Sequence, residues 1–252
     1  MTAAAAETAA GRVVLVTGGA SGIGRAVAQA FAEAGDRVAI ADVDAAAAGE
    51  AAAELGALAV TVDITDAGSV AAGLARVAAE LGPVEVLVNN AGIVAGGGPL
   101  VSLPVEVLDR VIAVNVRGTF LVTQAAAAQM IETGRGGCVV NISSIGARQP
   151  TPGLGHYEAT KAAVDALTRT GAIELAGHGI RVNGVAPGPV HTPMTAGLMD
   201  DPQARGAWEA RIPLGRIAVP GDLTPLVVFL ASPQARHITG AVVQVDGGQL
   251  LT

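Results

Sequence analysis

The stretch "GLGHYEATKAAVDAL", residues 153–167, holds the only tyrosine and the only lysine of the 252-residue chain. Tyr157 and Lys161 are four residues apart, the spacing that stacks two side chains on one helix face. A phenol is a poor base near neutral pH, and an ammonium one helical turn away favours its ionised form. The pair is therefore a candidate proton-exchanging group, with a phenol pKa expected below that of free tyrosine. Ser144 lies thirteen residues before Tyr157, in "NISSIG" at the end of a β-rich run. Its hydroxyl is placed to steady charge developing on an oxygen, and Ser143 beside it is a rival for the same task.

A second cluster sits near the start, in "VVLVTGGASGIGRAVAQAF". Gly18, Gly22 and Gly24 let the backbone turn tightly and approach a pyrophosphate, which a helix N-terminus attracts through its free N–H groups and its dipole. Asp42 follows 18 residues after Gly24, at the end of the next β-rich run. A carboxylate there accepts hydrogen bonds from ribose hydroxyls and repels a 2′-phosphate, so NAD is expected as cofactor and NADP disfavoured. The four histidines, His156, His178, His191 and His237, show no metal-ligand spacing, and no metal is expected. Cys138, alone inside a β run, reads as a small core residue.

These groups need a scaffold, and the chain supplies its rhythm. Short runs rich in Val, Ile and Leu recur at 12–17, 37–42, 58–63, 84–89, 137–143, 180–186 and 240–246, separated by Ala-rich helical segments. Near-continuous apolar character, without polar alternation, marks strands buried on both faces of a parallel sheet. The expected fold is α/β: a single-domain, doubly wound parallel β-sheet of Rossmann type, about seven strands with helices on both faces. Residues 1–252 form one domain in this reading, with 1–10 a flexible tail. Two segments break the rhythm: the Gly-rich loop 93–103 and the Pro/Gly-punctuated stretch 187–219, in which 189–216 is expected to form a substrate-binding lid.

Composition narrows the partners. Aromatic residues are 2% of the chain, the formal net charge is -7, and neither a basic footprint nor a stacking platform for nucleic acid is present. No run approaches ~18 uninterrupted apolar residues, so no membrane partner is expected. A lone cysteine and an N-terminus without a basic, then apolar, leader pattern point to the cytoplasm.

The spacing Thr-Gly-x-x-x-Gly-x-Gly at 17–24, "NNAG" at 89–92, Ser144, "YEATK" at 157–161 and "RVNGVAPGPVHTPM" at 181–194 together resemble the short-chain dehydrogenase/reductase family. The resemblance runs from Arg12 to the terminal "ITGAVVQVDGG". It implies a tetrad of Asn115, Ser144, Tyr157 and Lys161. Tyr157 exchanges a proton with the substrate oxygen, and Lys161 also bonds the nicotinamide ribose. The family spacing selects Ser144 over Ser143, and Asn115 kinks a helix and anchors a water-linked proton relay. Cofactor contacts carried over in the same way are Ser21 and Ile23 in the phosphate loop, Asp63 and Ile64 at the adenine, and Asn90. Gly92, Pro187 and Gly188 let the backbone approach, and Val190 and Thr192 hold the carboxamide. Ser21 stands where NADP-preferring relatives often carry a basic residue.

The resemblance implies hydride transfer between NAD and a small-molecule secondary alcohol or ketone. The alternatives are a 3-oxoacyl-carrier-protein reductase using NADPH and, in a different class, a non-catalytic NAD-binding regulator. "ELAGHGIR" at 174–181 offers little positive charge for an acidic carrier beyond His178 and Arg181. Val94, Ile145, Arg148, Gln149, Leu154 and the lid are expected to shape the substrate site. A homotetramer pairing helices around 104–132 and 156–178 is the family expectation.

Overall fold

Alternate residues of each strand enter opposite layers, as the two-residue repeat of a strand dictates. In β1 (Val13–Thr17), Val13 and Leu15 join one apolar layer, and Val14 and Val16 the other. The computed structural model describes residues 11–252, so the tail expected at 1–10 lies outside the described residues. The other strands are β2 (Arg37–Asp42), β3 (Leu58–Thr61), β4 (Val86–Asn89), β5 (Gly137–Ile142), β6 (Ile180–Pro187) and β7 (Val242–Val245). Six of the seven runs read from the sequence contain one of them, and β6 overruns the seventh, 180–186, by one residue. They form one parallel sheet in the order β3-β2-β1-β4-β5-β6-β7.

Helices cover both faces. On one lie α1 (Gly22–Glu33), α2 (Ala45–Leu55) and, near the C-terminus, α9 (Thr224–Ala231), contributing Phe31, Ala51 and Leu230 to the core. On the other lie α3 (Ala67–Glu80), α4 (Val105–Ile112), α5 (Thr119–Thr133) and α6 (Gly155–Leu175), whose buried residues include Leu74, Val111, Met130 and Ala172. Asp44 and Asp66 accept backbone N–H bonds at the starts of α2 and α3, which satisfies donors that a helix leaves free. The chain order reverses beside β1, where the connection from β3 crosses to β4 on the other side. That divergence opens a crevice at the carboxyl ends of β1 and β4.

Two helices are shaped for the site. From Val105 to Thr133 the chain is helical without interruption, long and apolar enough to cross a membrane by length and composition. Its apolarity has a closer explanation, because Val111, Val122, Ala126 and Met130 are buried in the core. The middle of this span, Ala113–Gly118, is π-helical, a local widening that recurs at functional sites. It carries Asn115. Helix α6 buries His156, Glu158, Lys161, Asp165 and Thr168, and so presents a polar stripe to the carboxyl end of the sheet. Residues 189–216 include two short helices, α7 (Ala196–Met199) and α8 (Pro202–Glu209).

Candidate active site

The crevice is a cleft of about 740 Å³. At one end lies the turn between β1 and α1. Gly18 and Gly22 take φ values of +60° and +53°, which side-chain-bearing residues rarely adopt. A Cβ at Gly24 would lie 2.2 Å from Gly18 O and 2.4 Å from Asn90 Nδ2, so only glycine lets α1 start this close to β4. Asn90 fixes the turn by donating Nδ2–H to Thr17 O and Gly18 O at 3.1 and 3.0 Å. Thr17 Oγ1 accepts the Asn90 and Ala91 N–H groups at 3.1 and 3.2 Å. Thr17 was not among the expected site residues; its position ahead of Gly18 was the available signal.

Beside the turn, Asp42 ends β2 and accepts the N–H groups of Ala20 and Asp44, both at 3.2 Å, which aims its carboxylate along the cleft wall. Asp63 takes hydrogen bonds from Thr65 N–H and Oγ1–H at 2.8 and 2.7 Å, and these hold its carboxyl below the ordinary range. Thr195, also missed, bonds to Val190 O, Thr192 O and Thr192 N and so organises the loop after β6. Its type and place in "HTPMT" gave no distinctive signal.

At the other end, Tyr157, Lys161 and Ser144 line the same cleft. Lys161 Nζ lies 5.7 Å from the centre of the Tyr157 ring and donates to Ile142 O at 2.8 Å. Ser144 Oγ accepts Gly146 N–H at 3.0 Å, which leaves its proton free to donate into the cleft. Ser143 Oγ instead donates to the buried Asp165 Oδ1 at 2.5 Å. Its hydroxyl is committed, and this geometry favours Ser144. Asn115 lies behind the cleft lining. It accepts Ile93 N–H at 2.8 Å and donates to Ile93 O and Thr160 Oγ1 at 2.9 and 3.0 Å.

Burial sets the proton affinities here. It pushes the Tyr157 phenol up to about 12, with the Ser144 hydroxyl pulling down and Glu158 adding to the rise. Desolvation is the largest cause of the rise. Lys161 is pushed down to about 8 by the same burial, against the opposing pull of Asp165.

Of the other expected contacts, Gly18, Ser21, Gly22, Ile23, Asp42, Asp63, Ile64, Asn90, Gly92, Pro187, Gly188, Val190 and Thr192 all line this cleft. Gly24 stands behind it. Among the expected substrate-shaping residues, Arg148 turns away, donating to Val242 O at 3.1 Å, and Gln149 bonds Thr252 O and Gln249 near the C-terminus. Arg110, from α4, lines the cleft without having been anticipated.

A glycine cradle at the switch point of a parallel sheet, continuous with a half-buried tyrosine and a buried lysine, defines a dinucleotide-dependent oxidoreductase. Residues 18–249 match the family described as "Enoyl-(Acyl carrier protein) reductase". The chain is 39% identical to a sorbitol dehydrogenase of Cereibacter sphaeroides, over 96% of this chain and 98% of that protein. It is 45% identical to a cis-4-hydroxycyclohexanecarboxylate dehydrogenase of Sinomonas cyclohexanicum, with coverage of 96% and 98%. The crystal structure of a 3-ketoacyl-(acyl-carrier-protein) reductase from Brucella melitensis, complexed with NADH, superposes with a TM-score of 0.89 at 39% identity, covering 95% of this chain and 98% of that one. The chain belongs to the short-chain dehydrogenase/reductase family and is an oxidoreductase acting on CH–OH groups.

Proposed function

We propose that the protein transfers hydride between NAD and a secondary alcohol or its ketone, with Tyr157 exchanging the hydroxyl proton. The observation that carries this reading is the single cleft joining the glycine cradle to Tyr157, Lys161 and Ser144. A bound nicotinamide dinucleotide supplies the hydride acceptor and, when oxidised, a positive charge near the phenol. The residues fit it: Gly18, Ser21, Gly22 and Ile23 face the pyrophosphate, Asp42 the adenosine ribose, and Asp63, Ile64 and Asn90 the adenine side. Gly92, Pro187, Gly188, Val190 and Thr192 hold the nicotinamide half. Ser144 donates to the substrate oxygen, Tyr157 takes the hydroxyl proton during oxidation and returns it during reduction, and Lys161 bonds the ribose while favouring the phenolate. Asn115 fixes Ile93 beside them.

The carboxylate of Asp42 supports NAD over NADP, since it would repel a 2′-phosphate. Among the described residues, the charged side chains that line the cleft are Asp42, Asp63, Arg110 and Lys161. The end near Tyr157 is otherwise walled by groups such as Ile93, Pro189 and Met194, which suits an uncharged carbinol carbon. Residues 189–216 act as a lid over the substrate, within one domain spanning 1–252. Cytoplasmic residence fits the lone, buried Cys138.

A 3-oxoacyl-carrier-protein reductase is the second reading, supported by the likeness to the Brucella enzyme. Arg181, one of two cations available to an acidic carrier, is occupied by Ile238 O and Ser232 O. Sorbitol, cyclohexanol, cis-4-hydroxycyclohexanecarboxylate and acetoacetyl-N-acetylcysteamine, each with NAD(H) and NADP(H), separate the readings by absorbance at the reduced-nicotinamide band. Tyr157→Phe should retain NADH binding while turnover of the active member falls at least roughly a hundredfold. Turnover near wild type in that variant overturns the assignment.

A further inference from the structure

Both sequence neighbours of Tyr157 are buried, and each is bonded to a loop outside α6. Glu158 Oε1 accepts the N–H of Thr151 at 2.6 Å. His156, only 4% exposed, places Nε2 2.9 Å from Val94 O and 3.1 Å from Gly96 O. Carbonyl oxygens only accept, so Nε2 carries the proton. Nδ1 is buried with no hydrogen-bond partner.

Two carbonyls separated by one residue converge on a single donor because of the backbone between them. Ala95 has φ +56°, the only positive φ of a non-glycine residue among the described residues. A left-handed alanine costs roughly 1–2 kcal/mol, so something must hold it there. The surroundings offer few other restraints: Gly98 N–H bonds Gly153 O at 3.0 Å, and Asn115 clamps Ile93 at the start of the loop.

We propose that His156 is a positioning residue: by donating Nε2–H to Val94 O and Gly96 O, it holds Ala95 left-handed and fixes residues 94–98, the segment that follows the cleft-lining Ile93, against the start of the helix that carries Tyr157. The inference rests on the reading of Tyr157 as the proton-exchanging group. Because Asn115 fixes Ile93 independently, losing the ring should slacken this segment without moving the reacting groups. The loss then falls on substrate binding, as a raised KM at nearly constant kcat.

The test compares His156→Leu, which removes the donor, with His156→Gln, which retains one, and with His156→Leu combined with Ala95→Gly, which removes the backbone penalty. In His156→Leu, amide hydrogen exchange over 94–98 should accelerate about tenfold or more, since the loop opens more readily. KM for cyclohexanol or sorbitol, whichever the wild type oxidises faster, should rise about tenfold with kcat and the NADH Kd within about twofold. His156→Gln and the double variant should each recover most of both losses. In wild-type protein, 15N NMR should report a proton on Nε2. Unchanged exchange in His156→Leu, no recovery in the double variant, a fall in kcat at constant KM, or no proton on Nε2 overturns the proposal. The exchange and NMR arms need no turnover, so they judge His156 even if Tyr157→Phe defeats the catalytic reading. They also decide the matter in wild type and His156→Gln if the leucine variant does not fold.

Discussion

Burial opposes charge at both Tyr157, the proposed proton-exchanging group, and Lys161 beside it. An ammonium driven down to about 8 from 10.5 by desolvation weakens the fold wherever it stays protonated. The unfolded chain holds this proton more tightly, so the penalty is full below pH 8 and is relieved as pH rises toward 10.5. Tyr157 acts the other way, because its raised value makes stability fall as pH climbs from 10 toward 12. Lys161→Met should therefore stabilise the dinucleotide-free protein at pH 7 by roughly 1–3 kcal/mol, the unpaired Ile142 carbonyl offsetting part of the gain. The same variant should bind NADH more weakly. Urea denaturation at pH 7 and pH 9.5 checks the first point: a variant less stable than wild type at pH 7 contradicts it. Asp42→Asn keeps an acceptor for only one of the Ala20 and Asp44 N–H groups, which bond different carboxylate oxygens, while removing the charge expected to disfavour NADP. The ratio of Kd values for NADP and NAD should drop about tenfold or more, and an unaltered ratio in parallel titrations would remove Asp42 from cofactor choice.

Among the elements, the β1–α1 turn has the least room for change. Gly24 is not on the cleft surface, yet a methyl group there collides with Gly18 O and Asn90 Nδ2. Gly24→Ala should cost about 1–3 kcal/mol of stability and weaken NADH binding by shifting the cradle. Denaturation midpoints and a binding titration unchanged from wild type would show that the turn can relax. Helix α6 holds its neighbours through particular side chains: His156 reaches 94–96, Glu158 reaches Thr151, and Asp165 takes the hydroxyl of Ser143. One helix thus sets both loops flanking the tyrosine it carries. The π-helical turn of the α4–α5 span does similar work by turning Asn115 toward Ile93.

At the scale of the molecule, the unpaired surface points to assembly. Of Ala125, Ala126, Ala127 and Ala128, small residues that permit close helix approach, Ala126 and Ala127 are buried in the chain's own core, Ala125 is half-buried and Ala128 is exposed. The outward side of the same helical span instead shows Ile112, Phe120 and Ile131, and α6, which packs against α4, shows Ile173 at 80% exposure. Exposed apolar groups gathered on adjacent helices suit a subunit contact. We infer a homotetramer. Light scattering should give about four times the 24.7 kDa of one chain, and Phe120→Asp should lower that mass. A wild-type monomer at micromolar concentration rules the tetramer out.

All seven strands, the glycine turn and Tyr157 with Lys161 were legible in the sequence, because those signals are local: apolar runs, a spacing of four, a glycine where the backbone must turn. The cleft brings together positions as far apart as Ser21 and Thr192, which the family's ordered motifs single out in the sequence. What the sequence could not carry were effects that exist only once distant segments meet. The phenol's rise to about 12 comes from burial by other elements, which no spacing to Lys161 reveals. The preference for Ser144 over Ser143 acquires its physical basis from Asp165, 22 residues away and brought to Ser143 only by the docking of α6 on β5. The ring of His156 meets Val94 and Gly96 across 62 and 60 residues, and it does so over a left-handed alanine, a conformation that an alanine in a sequence does not announce. Local chemistry determined which elements form, and the tertiary packing decided which polar groups lose water and which partners they find in its place.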